Sequence, residues 1–275
     1  MKKFLTILLS LVLCLTACIG LSACGGGKDK NIKIGVQEGT TSLMYADCLK
    51  GVSVSSYTTF PLAADAMKNG NVDYVMCDKA TATSICNTIS GIKYIDIALS
   101  TEFYAIAMDK AQPALGASIN AILASKSAEI QAIIDKYMAG DKANYVGVTS
   151  ANKNNANKDG QLVVATNAEF PPWEYYEDEK YYGIDMEIAK LLADELGMEL
   201  VIDDMAFESV VSSVGANGVD IAMSGITITN ERKEVVNFST SYYTEAIVLL
   251  CKDNDTSLAS AGTVVDLLNV LCKNK

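Results

Sequence analysis

Asn217-Gly218-Val219-Asp220-Ile221-Ala222-Met223-Ser224-Gly225-Ile226-Thr227-Ile228-Thr229-Asn230-Glu231-Arg232 is the stretch that decides the fold. It opens on an Asn-Gly turn and rises through an apolar run suited to a buried strand. It ends in small and hydroxyl residues before a helix start near Thr229 or Asn230. An earlier stretch, Asn69-Gly70-Asn71-Val72-Asp73-Tyr74-Val75-Met76, repeats its first part. In both, a helix ends at Asn-Gly and a strand carrying Val-Asp begins. Strands and helices alternate around each copy, which predicts α/β layers in two similar lobes rather than one sheet.

Outward from the earlier copy, the pattern predicts a strand over 31–37 and a helix opened by Gly39-Thr40-Thr41. A helix over 61–67, a strand over 72–77 ending at Asp78 and a helix over 79–89 follow. A strand over 103–108 precedes a long segment, 115–137, with apolar residues at helical spacing. Residues 149–160 carry nothing apolar larger than alanine and read as an exposed connector. Around the later copy stand a strand over 162–166, Phe170-Pro171-Pro172-Trp173, and a helix whose face is Ile184, Ile188, Leu191, Leu192 and Leu196, closed by Gly197. A strand at 200–202, a short helix over 207–214 and a last strand over 246–251 complete the pattern.

The N-terminal region sets the compartment. Lys2 and Lys3 precede an apolar run, and Leu21-Ser22-Ala23-Cys24 stands before Gly25-Gly26-Gly27. This reads as a secretory signal over 1–23. Its end resembles a bacterial lipobox, which implies a lipid on Cys24, a linker over 24–31, and anchoring on the outer face of the cytoplasmic membrane. Leu15-Thr16-Ala17-Cys18 fits the same pattern more loosely. Loss of 1–23 would take the formal charge from −11 to −13. So acidic a surface argues against nucleic acid and anionic headgroups as partners.

The chain has no histidine, which removes Ser-His and Cys-His pairs and the commonest zinc ligand. Cys48, Cys77, Cys86, Cys251 and Cys272 follow the signal in no zinc-like spacing, and their pairing is open. No cofactor or metal is expected.

Arg232 is the only arginine among 22 basic residues. Where lysine serves, this chain uses lysine, so the retained guanidinium points to a need for its planar fork, which grips a carboxylate bidentately. It follows a strand end, where ligands of α/β sheets gather. Gly225 lets backbone approach a ligand, and Thr227 offers a hydroxyl. Thr40 and Thr41 sit at a helix start with unpaired amides. Asp78 ends a buried strand, where a carboxylate needs a partner: a ligand ammonium, or the amides of the next helix. Phe170, Trp173 and Phe207 read as aromatic walls or core. The acidic run 174–179 reads as a solvated turn.

Together these stretches resemble the polar amino-acid solute-binding proteins of bacterial ABC importers. The resemblance is carried by 167–175, by Gly183-Ile184-Asp185-Met186-Glu187-Ile188-Ala189 and by Gly225-Ile226-Thr227-Ile228-Thr229-Asn230-Glu231-Arg232. Gly35-Val36-Gln37-Glu38-Gly39-Thr40-Thr41, Tyr104-Ala105-Ile106-Ala107 and Ile119-Asn120 add to it. It implies a two-lobed, type II periplasmic-binding-protein-like fold, each lobe a mixed sheet flanked by helices, closing on a free amino acid for delivery to a membrane permease. Arg232, Thr227 and backbone near Gly225 would hold the α-carboxylate with Thr41 and Thr40, and Asp78 the α-ammonium. Phe170 and Phe207 would flank the side chain. Asn167 stands where relatives often carry an acid, which implies a polar rather than a strongly cationic ligand.

The order departs from the family's. The second lobe (32–100) comes first. The family's C-terminal and N-terminal segments follow as a first lobe over 101–252, joined by a connector at 148–160. The tail 253–275 resembles nothing expected. This order reads as a circular permutation, with a truncated fusion as its rival. An exported dehydratase-like enzyme on the same scaffold and a lipoprotein without ligand are the other functional readings.

Overall fold

A computed structural model describes residues 31–154 and 160–272. The signal, the lipidation site Cys24 and most of the linker lie outside the described residues, as do 155–159 of the connector. The chain divides into two compact units. Each unit is mixed α/β.

The first unit comprises the described residues up to Cys77, Ile89–Leu99 and the stretch from Val248 onward. Its sheet has the order β2-β1-β3-β15-β4: β1 (Ile32–Gln37), β2 (Val52–Tyr57), β3 (Tyr74–Asp78), β4 (Ile92–Ile95) and β15 (Ile247–Lys252). β1 pairs in parallel with β2 and β3, whereas β15 runs antiparallel to β4. The middle strands are the most apolar: β3 is buried throughout, and so is β15 up to Cys251. Helix α1 (Thr41–Asp47) is capped by Thr40, and α2 (Phe60–Lys68) by Thr59. Phe60, Ala63, Ala64 and Met67 form the buried face of α2 at helical spacing.

The tail belongs to this unit too. The Tyr74 and Ser257 hydroxyls meet at 2.6 Å, and Lys93 Nζ donates to the carbonyl of Asp253 at 2.7 Å. Helix α9 (Val264–Cys272) follows Thr263, whose hydroxyl accepts from the Asp266 amide, and buries Leu267 and Leu271, one turn apart.

The second unit comprises Asp78–Thr88 and Ser100–Ile247. The contacts thus interleave where the sequence reads unbroken blocks, because β15 pairs with β4 far upstream and 78–88 cluster with the later residues. The sheet has the order β11-β7-β12-β6-β13: β6 (Ala107–Met108), β7 (Gln161–Thr166), β11 (Glu199–Asp204), β12 (Ile221–Ala222) and β13 (Asn237–Phe238). β7 is buried at every position and pairs in parallel with β11 and β12. β6 enters from earlier in the chain and pairs antiparallel with β12 and β13. Val163, Ala165, Val201, Val210, Ala222, Ile226 and Val236 close one core around it.

The long apolar segment is two helices, α4 (Pro113–Ser125) and α5 (Ser127–Met138), meeting at Lys126. Lys126 Nζ reaches Glu195 at 2.7 Å, tying the junction to α6 (Ile184–Leu196). Glu187 on α6 accepts from the Tyr137 hydroxyl at 2.8 Å and the Val146 amide at 2.9 Å. From there the connector is stitched down: Val148 and Tyr181 exchange backbone hydrogen bonds, and Ala151 N donates to Leu200 O at 2.8 Å. The acidic run splits. Glu177, Asp178 and Glu179 are exposed at the turn of the β9 (Glu174–Glu177) and β10 (Lys180–Tyr182) hairpin, but Glu174 is wholly buried, contrary to the solvated turn expected there.

Candidate functional site

Arg232 lies in α8 (Asn230–Val235), whose N-cap Thr229 accepts from the Arg232 amide at 3.1 Å. The cap fixes the first turn, and the side chain folds back along the strand end. Its Nη1 donates to the carbonyl of Thr227 at 2.9 Å. Its guanidinium lies 5.7 Å from the ring centroid of Phe207, the first residue of α7 (Phe207–Ser213). A carbonyl on one side and a π face on another orient the fork. Burial lowers the Arg232 pKa, while Glu102, Tyr104 and Asp78 pull it back up.

Thr227 forms a single antiparallel bridge with Tyr104, at the end of β5 (Glu102–Tyr104). Gly225 is left-handed at φ +53°, and its N–H donates to Asp185 at 2.8 Å. That amide is therefore committed inside the protein. A Cβ here would stand 2.7 Å from Phe170 and 3.0 Å from Tyr104, so glycine is required for both conformation and room. Phe170 is buried against it, and Trp173 is core: it has no exposed surface and meets Tyr104 and Tyr243 edge-on, each at 4.8 Å.

Asp78 falls in the same unit. Burial, with Glu245 and Glu102 nearby and a Tyr104 hydrogen bond opposing, pushes its carboxyl up to about 8. The amides of the following helix, α3 (Lys79–Thr88), go elsewhere: Lys79 N to Ala246 O and Ala80 N to Glu245. Asn167 is buried, with Nδ2 donating to Met205 O at 3.0 Å and its own amide to Ser224 Oγ at 3.2 Å. Thr40 and Thr41 lie in the first unit, where the Thr40 hydroxyl donates to Gln37 O at 2.7 Å and accepts from Leu43 N. Arg232, Thr227, Gly225, Phe170, Phe207, Asn167 and Asp78 thus share one unit.

Sequence reasoning missed Tyr104, Glu102 and Glu245. Tyr104 could have been found, since Tyr104-Ala105-Ile106-Ala107 was already singled out. The two glutamates sit in short strands with no motif. Among the described residues, no group of three or more His, Cys, Asp or Glu is placed to hold a metal ion.

Residues 162–273 match the model of the bacterial extracellular solute-binding proteins, family 3. The match takes in 253–273, for which the sequence suggested no counterpart. The arginine-bound form of domain 1 from TmArgBP, of T. maritima, is 30% identical over 45% of this chain and 100% of its own, with a TM-score of 0.30. Residues 162–273 belong to the family 3 solute-binding proteins. Among curated members, the chain is 37% identical to the arginine-binding extracellular protein ArtP of Bacillus subtilis, over 38% of this chain and 40% of ArtP. It is also 37% identical to the cyclohexadienyl dehydratase of Pseudomonas aeruginosa, over 30% of this chain and 31% of that enzyme. The chain spans about two fifths of the length of the first curated relatives it matches.

Proposed function

We propose that this protein is an extracytoplasmic receptor for a free polar amino acid, anchored through a lipid on Cys24 and delivering its ligand to an ABC-type permease. The observation that carries the reading is Arg232: a guanidinium oriented by the Thr227 carbonyl and the Phe207 ring, at a strand end shaped by Gly225. In this reading the fork holds the α-carboxylate, Thr227 assists, Asp78 takes the α-ammonium, and Phe170 and Phe207 flank the side chain. Each charge-assisted bond would contribute roughly 1.5–3 kcal/mol.

The rearranged order is proposed to be a circular permutation. The stitching of 146–154 onto strands of the second unit and the family match through 273 support it. A permuted domain should melt in one cooperative transition raised by ligand, whereas two independent transitions would speak for a truncated fusion.

Thermal shift against a panel of free amino acids tests the function. A receptor shows a ligand-specific rise in Tm, and no rise with any member contradicts the proposal. A second reading, a dehydratase of a carboxylate substrate, draws on one specific observation. Asp78 holds its proton near neutral pH, as a general acid must. Turnover of an added substrate, lost in Asp78→Asn, would favour it.

A further inference from the structure

β5 and β14 (Tyr243–Glu245) form a two-stranded antiparallel ribbon in the second unit, and its register sets Glu102 directly opposite Glu245. Like charges facing each other across strands are destabilising. Both glutamates are buried, as is Asp78. Their circumstances differ. Glu245 accepts from the amides of Ala80 and Ala246, at 3.2 and 2.8 Å, and the Lys79 ammonium acts on it. Asp78 has the Tyr104 hydroxyl. Glu102 is 1% exposed, and neither of its carboxylate oxygens has a hydrogen-bond partner.

A buried carboxylate with neither oxygen paired is costly, and apolar packing would serve the fold better. Arg232 and Lys79 act on this cluster, yet neither donates a hydrogen bond to Glu102. A ligand with a neutral side chain brings no charge to Glu102. One with a cationic side chain does, and its N–H groups supply the donors that Glu102 lacks. We propose that Glu102, backed by Glu245, is the specificity residue for a cationic side chain, so that the ligand is a dibasic amino acid. This rests on the amino-acid receptor reading above and replaces the expectation drawn from Asn167, whose amide is spent on Met205.

The test is calorimetric binding of L-arginine and L-lysine to the full chain. L-citrulline and L-glutamine, which lack the side-chain charge, are the comparison ligands. The expected result is at least tenfold tighter binding of arginine than of its neutral isostere citrulline. Glu102→Gln should bring that ratio to within about threefold while citrulline binding persists. Equal or tighter binding of the neutral ligands by the unaltered chain overturns the proposal, and so does an unchanged ratio in Glu102→Gln. Should that variant not fold, the ratio in the unaltered chain decides alone. If no amino acid of either charge binds, the receptor reading itself fails, an outcome distinct from loss of charge preference.

Discussion

Two groups of buried carboxylates lie in the same unit, and they are built differently. Glu174 and Asp185 are both wholly buried, yet donors reach three of their four carboxylate oxygens. Asp185 accepts from the Gly225 amide at 2.8 Å and the Tyr242 hydroxyl at 2.7 Å, and Glu174 from Ser224 Oγ at 2.6 Å. Burial, opposed by those donors, leaves the Asp185 carboxyl at about 6, while burial and the Asp185 charge raise Glu174 further. The pair sets the start of β9 against the first turn of α6, and Asp185 fixes the Gly225 turn. At the other cluster, the donors go to Glu245 and Asp78, and both Glu102 oxygens are left without one. A satisfied buried acid organises a fold, whereas an unsatisfied one marks a place where a partner is expected.

Asp185→Ala should break the comparison most visibly, because it orphans the Gly225 amide and the Tyr242 hydroxyl beside Glu174. A loss of about 4 kcal/mol in denaturant unfolding is expected. The matching change at the other cluster, Glu102→Gln, should leave unfolding of the unliganded protein unchanged or slightly more stable. A large loss there would make the two clusters alike. Gly225→Ala should cost about 3 kcal/mol, from a Cβ 2.7 Å from Phe170 and a left-handed backbone, read as a lower urea midpoint.

The pH response sharpens the contrast. The folded state holds the Asp185 proton more tightly than the unfolded chain does. Its contribution to stability is therefore full below its ordinary value of 3.8 and is lost as pH rises to about 6. Glu174→Gln should flatten this fall, measured by unfolding between pH 4 and 7. At the other cluster, a ligand ammonium needs Asp78 ionised, so affinity should rise with pH up to about 8, with protons released on binding. Calorimetry in buffers of different ionisation enthalpy reads that release. Thr229→Ala has the smallest expected effect, about 1 kcal/mol from a lost helix cap, with ligand binding weakened through the loosened Arg232 turn.

Much of the fold was legible because it rests on periodicity and on Asn-Gly punctuation. The apolar runs ending at Asp78 and Met223 fall on β3 and around β12, and Gly197 closes α6 as a left-handed cap. β2 was not legible, since Val52-Ser53-Val54-Ser55-Ser56 carries too little apolar weight, nor was the break at Lys126, where helical spacing runs on through the junction. At the site, Arg232 stood out by composition and Gly225 by context. Glu102 and Glu245 did not, because what distinguishes them is a cross-strand register between segments more than 140 residues apart. The burial of Glu174 beside exposed Glu177 follows from a hairpin whose turn comes three residues later than the acidic composition suggests.

The central claim is that Arg232 holds the ligand carboxylate through its fork. The direct measurement is the dissociation constant of the best-binding amino acid for the unaltered chain and for Arg232→Lys, by calorimetry. Lysine keeps the charge but loses the bidentate geometry and the seat against Phe207, so affinity should fall roughly 10- to 100-fold with the fold intact. An unchanged dissociation constant would contradict the account.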